Sequence, residues 1–238
     1  VAFSCEPCER LPLAEDDVAA WMDKWNFYRL GDYIKGYTPE AACSKFPNTI
    51  ACEYETETNQ KSDLGTLFRI VKRHKEVDVP SHSSIIVHMR VGDGLRGTDC
   101  WRNQNDCFRY LNLLYALPEQ YYTALLPRMP AAIDGHDIVI VGMVGHITVF
   151  PKTKVRQVMQ WSHEYIGNAV GFFEDHGFKV QVREPHDPDI DFMYMASAHT
   201  FVQGGGGYSG LIAQLVNQSG NTVLHNAHIC EANRQLCS

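Results

Sequence analysis

The chain has 238 residues, 45% hydrophobic and 21% charged, a globular balance with length for one large domain or two small ones. Its formal net charge of -7 lacks the broad basic footprint that nucleic acid or an anionic membrane surface requires. No apolar run reaches transmembrane length, and the eleven histidines show no H-x-x-x-H or H-E-x-x-H spacing, which argues against a zinc-hydrolase helix.

Taken in chain order, residues 13–30 are predicted as an amphipathic helix, with Asp16 and Asp17 near its start and Trp21, Trp25 and Tyr28 on one face. Residues 36–60 read as an irregular loop, and residues 62–76 as a second helix capped by Ser62 or Asp63. From Ser84 the texture changes to strands alternating with helices. Strands are expected at 84–91, 137–142, 178–183, 199–203 and 222–225. Helices are expected at 118–128, 153–176, 191–198 and 207–217. Apolar strands separated by helices imply parallel pairing with helices on both faces. The expected architecture is therefore α/β, a Rossmann-like parallel sheet of about five strands over residues 81–238. A helical and looped region, residues 1–80, precedes it and packs on the main domain.

The eight cysteines come mostly as near neighbours: Cys5/Cys8, Cys43/Cys52, Cys100/Cys107 and Cys230/Cys237. Only the first pair has metal-ligand spacing, and no second C-x-x-C follows. Short local disulfides in an oxidising compartment are the expectation, and no metal site is expected. The Asn217-Gln218-Ser219 sequon agrees with a secretory or extracellular location. The chain begins at Val1, so its N-terminus is expected to have been trimmed.

Ligands of open parallel sheets bind beyond the carboxyl ends of the strands, so the residues that follow the strands are the candidates for chemistry. Three groups qualify. His88-Met89-Arg90-Val91-Gly92-Asp93-Gly94 runs from a strand into a glycine-containing loop. Alternation places His88 and Arg90 on one face, and the arginine fork suits a diphosphate. An Arg90–Asp93 pair that merely fixes the loop is the structural alternative. The second group is Gly204-Gly205-Gly206-Gly207-Tyr208-Ser209-Gly210, between a strand and a helix. Consecutive glycines let a ligand reach the backbone, and the helix start supplies free N–H groups. Residues 205–210 also satisfy G-x-G-x-x-G, the fingerprint of dinucleotide-binding oxidoreductases. That motif normally opens the first βα unit, whereas this one comes late, and no acidic residue ends the strand that follows. The third group, Asp189 and Asp191, could accept hydrogen bonds from a base or ribose, or cap a helix.

Together these residues resemble the fucosyltransferase superfamily, which transfers fucose from GDP-fucose. His88-Met89-Arg90-Val91-Gly92-Asp93 is similar to its H-x-R-R-G-D motif, with valine in place of the second arginine. Asp191-Phe192-Met193-Tyr194-Met195, Phe201-Val202 and Gly206-Gly207-Tyr208-Ser209 follow in the family's order, with glycines where its later motif has serines. The resemblance covers residues 84–226. It implies that Arg90 holds the β-phosphate and that His88 and Asp191, or Asp189, contact the guanosine. Asp93, Gly206, Gly207, Tyr208 and Ser209 would line the nucleotide-sugar site. The implied chemistry is metal-independent inversion at the fucose carbon, with GDP-fucose as donor substrate and no further cofactor. Some relatives carry a glutamate about ten residues after the histidine; here that place holds Thr98, with Asp99 next to it, and Asp99 is the expected base.

The family fold has two Rossmann-like halves, and only 87 residues precede His88. The implied partners are a nucleotide sugar, a glycan or glycoprotein acceptor, and a protein supplying the acceptor-binding half. The other functional class is a non-catalytic relative acting as a carbohydrate-binding or assembly subunit.

Overall fold

The computed structural model describes residues 64–74, 77–95, 113–130, 135–143, 152–184 and 188–225, with residues 53, 57, 97, 99–103, 105, 107, 109 and 110 besides. The expected helix at 13–30, most of the loop at 36–60 and the caps Ser62 and Asp63 lie outside the described residues. So do Cys5, Cys8, Cys43, Cys52, Cys230 and Cys237.

The chain divides into two compact units. One comprises residues 9–78 and 186–194; the other holds residues 1–8, 79–185 and 195–238. In the first, α1 (Leu64–His74) carries Arg69 and Arg73, which pair with Glu57 and with Glu53 and Glu57 respectively. These ion pairs are solvent-exposed and add little stability.

The second unit is built on β1 (Ser84–Arg90), β4 (Asp137–Met143), β5 (Lys179–Val182), β6 (Thr200–Val202) and β7 (Thr222–Leu224). They form one sheet in the order β5-β4-β1-β6-β7, with every pair parallel. The expectation of a five-stranded Rossmann-like α/β sheet is met. The helices that follow α1 in the chain are α2 (Glu119–Leu125), α3 (Lys152–Asp175), α4 (Pro188–Ala196), which up to Tyr194 belongs to the first unit, and α5 (Gly207–Gln218). A short ladder between β2 (Arg109–Tyr110) and β3 (Leu113–Leu114) is an addition to the predicted elements. Its strands are too short to carry a periodic signal.

β1 is the central strand, and its first six residues are buried on both faces. Ile85, Val87 and Met89 join a core with Tyr122, Ile138, Ile140, Tyr165, Phe172 and Phe173. The alternate residues Ile86 and His88 are buried on the opposite face. Trp101 is buried among Tyr122, Tyr165 and Phe172, with ring centroids 5.3, 5.5 and 5.7 Å away.

The Cys100–Cys107 bond closes the loop that carries Trp101. Of the four local disulfides expected from the sequence, it is the one that the described residues contain. The other three pairings, Cys5 with Cys8, Cys43 with Cys52 and Cys230 with Cys237, rest on spacing alone.

From β1 the chain moves outward to β4 and β5, then returns across the sheet to β6 and β7. Right-handed crossovers on opposite sides of β1 place their helices on opposite faces. The strand order therefore reverses between β1 and β6, where such sheets open a crevice at their carboxyl edge.

Candidate functional site

The ends of β1 and β6 bring the first two sequence groups together at this switch point. Val87 pairs with Val202, so His88 and Arg90, still paired with β4, run past the end of β6 beside Gln203 and the glycines that follow. The two strand ends touch. A Cβ at Gly204 would lie 2.3 Å from the His88 carbonyl oxygen and 2.7 Å from its Nδ1. No side chain fits there, which explains the glycine.

The glycine loop is held from several directions. The Gly204 N–H donates to the Ser209 Oγ at 2.8 Å, folding the loop back onto the first turn of α5. The Tyr121 hydroxyl donates to the Gln203 carbonyl at 2.5 Å. Gly206, the residue before α5, has φ +86°, which favours glycine. A Cβ there would stand 2.9 Å from Arg90 Nη1, so the guanidinium lies directly against this backbone. Tyr115 stacks on the same guanidinium, with Arg90 Cζ 4.3 Å from the ring centroid.

His88 is almost completely buried, and its Nδ1 has no hydrogen-bond partner among the described residues. Burial, and then the charge of Arg90, push its pKa down to about 3. It is therefore a neutral imidazole at ordinary pH, with unused hydrogen-bonding capacity. The Tyr208 ring is 5.7 Å away, centroid to centroid.

Beyond Arg90 the chain makes a single 3-10 turn, Gly92–Gly94, which contains Asp93. The Gly92 N–H donates to Ser162 Oγ of α3 at 3.0 Å, and Ser162 donates in turn to the Val158 carbonyl at 2.8 Å. The turn is thereby tied to α3. Asp99 lies on an exposed turn, and its carbonyl accepts from the N–H groups of Arg102 and Asn103 at 3.0 and 2.7 Å. Buried Trp101 and the Cys100–Cys107 bond anchor this turn.

Asp189 and Asp191 belong to α4, within the other unit up to Tyr194. Asp191 is 3% exposed and sits inside the helix, not at its cap. Asn217 is exposed in the last turn of α5. Among the described residues, no group of His, Cys, Asp or Glu could hold a metal ion, and no helix is long and apolar enough to cross a membrane.

Tyr115, Tyr121, Ser162 and Tyr165 are site or supporting residues that the sequence did not single out. Each acts across a long separation, which leaves no local pattern. No protein-family model, curated protein or solved structure matches the chain.

Proposed function

We propose that this chain is a glycosyltransferase-like protein that binds a nucleoside-diphosphate sugar at the β1–β6 crevice, and that fucose carried on GDP is the donor. The observation that supports this best is the meeting of Arg90 with the glycine loop and the start of α5. A cationic fork, a glycine-lined backbone and the first N–H groups of α5 lie together at the edge where such sheets bind ligands. Neutral, buried His88 adds an unsatisfied nitrogen beside the same backbone.

In the proposed reaction an acceptor hydroxyl attacks the anomeric carbon from the face opposite the diphosphate. A carbon–oxygen bond forms as the bond to the phosphate oxygen breaks, and GDP leaves. Arg90 offsets the charge gathering on the leaving diphosphate. Asp99 takes the acceptor proton. His88 faces the guanosine, with Tyr208 and Ser209 at the phosphates.

Calorimetry with GDP and GDP-fucose tests this reading. The intact protein should bind both, and Arg90→Ala should weaken binding roughly tenfold or more. Failure of the intact protein to bind either nucleotide would overturn the reading. A non-catalytic carbohydrate-binding role is the second reading, favoured by the placement of Asp99 on an exposed turn. Nucleotide binding without turnover of GDP-fucose, unchanged in Asp99→Asn, would select it.

A further inference from the structure

The structure assigns a role to Tyr115: it is a positioning residue whose ring holds the Arg90 guanidinium beside Gly206, ready for a diphosphate. The assignment rests on the nucleotide-sugar reading above and adds to it a residue outside every motif in the sequence.

The guanidinium has two close neighbours. One is the Tyr115 ring, whose centroid is 4.3 Å from Arg90 Cζ. The other is the Gly206 backbone, where a Cβ would come within 2.9 Å of Nη1 and 3.4 Å of the Tyr115 ring edge, so ring, guanidinium and backbone meet at one corner. Arginine bends through several rotatable bonds, and ordering it costs entropy when it must grip a ligand. A stacked ring meets that cost beforehand. A neutral ring brings no charge of its own, whereas a carboxylate in the same place would offset that of the guanidinium.

The platform that carries Tyr115 is itself fixed. Leu117 is held twice by Tyr165 of α3: its N–H donates to the tyrosine oxygen at 3.0 Å, and the hydroxyl donates to its carbonyl at 2.6 Å. Ala116 packs on Gly94, where an added Cβ would lie 3.3 Å from the Ala116 nitrogen and 3.5 Å from Arg90 Cγ. The stem of Arg90 and the segment bearing its ring partner thus share one packed contact. A rigid support of this kind is what a preorganised binding group needs.

GDP affinity measured for the intact protein, Tyr115→Phe, Tyr115→Leu, Arg90→Ala and the Tyr115→Leu/Arg90→Ala double variant tests the assignment. Tyr115→Leu should weaken binding about three- to tenfold, and Tyr115→Phe should stay near the intact protein, because the ring face is what matters. The double variant should bind no worse than Arg90→Ala alone, because the ring acts through the arginine. Intact affinity in Tyr115→Leu, or a further loss on the Arg90→Ala background, would overturn the assignment while leaving nucleotide binding in place. Failure of the intact protein to bind GDP at all would instead remove the reading on which it rests. A second measurement does not depend on any variant folding. The Arg90 Nε–H resonance of the intact protein should be shifted upfield by the ring current and should remain so when GDP is added. An unshifted resonance, or a shift abolished by GDP, would overturn the assignment.

Discussion

His88 lies in the interior as a neutral imidazole, and acid probes that state directly. An unfolded histidine takes up its proton near pH 6.5, whereas His88 in the fold does so only at about 3. Between these values the unfolded chain binds the extra proton. The contribution of His88 to stability is therefore complete above pH 6.5, declines as pH falls through the window, and levels off below about 3. Replacing His88 with Asn removes the titrating group. The urea midpoint of the intact protein should fall further between neutral pH and about pH 4.5 than that of His88→Asn. Parallel declines would show that the imidazole is not held neutral. Gly204 makes a second residue-scale case, since an added methyl would meet the His88 backbone and ring. Gly204→Ala should cost about 1–3 kcal/mol by overpacking, seen as a lower melting temperature.

At the scale of elements, α5 begins where the glycine loop ends, and Ser209 joins the two. Its Oγ is the acceptor for the buried Gly204 N–H. Ser209→Ala should leave that donor unsatisfied and cost about 1–3 kcal/mol, with faster amide exchange at Gly204. An unchanged exchange rate would show that another acceptor serves it. Elements were the most legible part of the sequence. All five strands and the helices from 118 onward were marked by apolar runs and periodicity. The alternation in His88-Met89-Arg90 was enough to place histidine and arginine on one face. The β2–β3 ladder was not legible, because two-residue strands show no period. Tyr115 was not legible either: its role arises from Arg90, twenty-five positions earlier, and Gly206, far later in the chain. Burial of His88 depends on the neighbouring strand and loop, and a strand's own residues do not report that.

At the scale of the whole molecule, the Cys100–Cys107 bond is one covalent restraint on the second unit. It closes a short loop, so its entropic effect is modest, roughly 2–3 kcal/mol in the chain-entropy model. Trp101, beside it, is buried in the aromatic core, and its carbonyl accepts from the first N–H of α2 at 2.7 Å. Cys100→Ala/Cys107→Ala should lower the melting temperature by several degrees without abolishing folding. A complete loss of folded protein would mean that the bond sets the structure of the core itself. The same near-neighbour spacing predicts partners for Cys8, Cys52 and Cys237, although eight cysteines can pair in about a hundred ways. Peptide mapping of the unreduced protein would identify them, and local bonds to Cys5, Cys43 and Cys230 are the expected result.

The strand at the centre of the sheet is also the one made first. β1 leaves the ribosome with both edges bare, and its neighbours arrive only with Asp137 and Thr200. For that interval Ser84–Val87, rich in β-branched residues, is an open template for any other chain. Contacts so distant in sequence form slowly. The order of synthesis thus leaves the strand that presents Arg90 the longest without its partners.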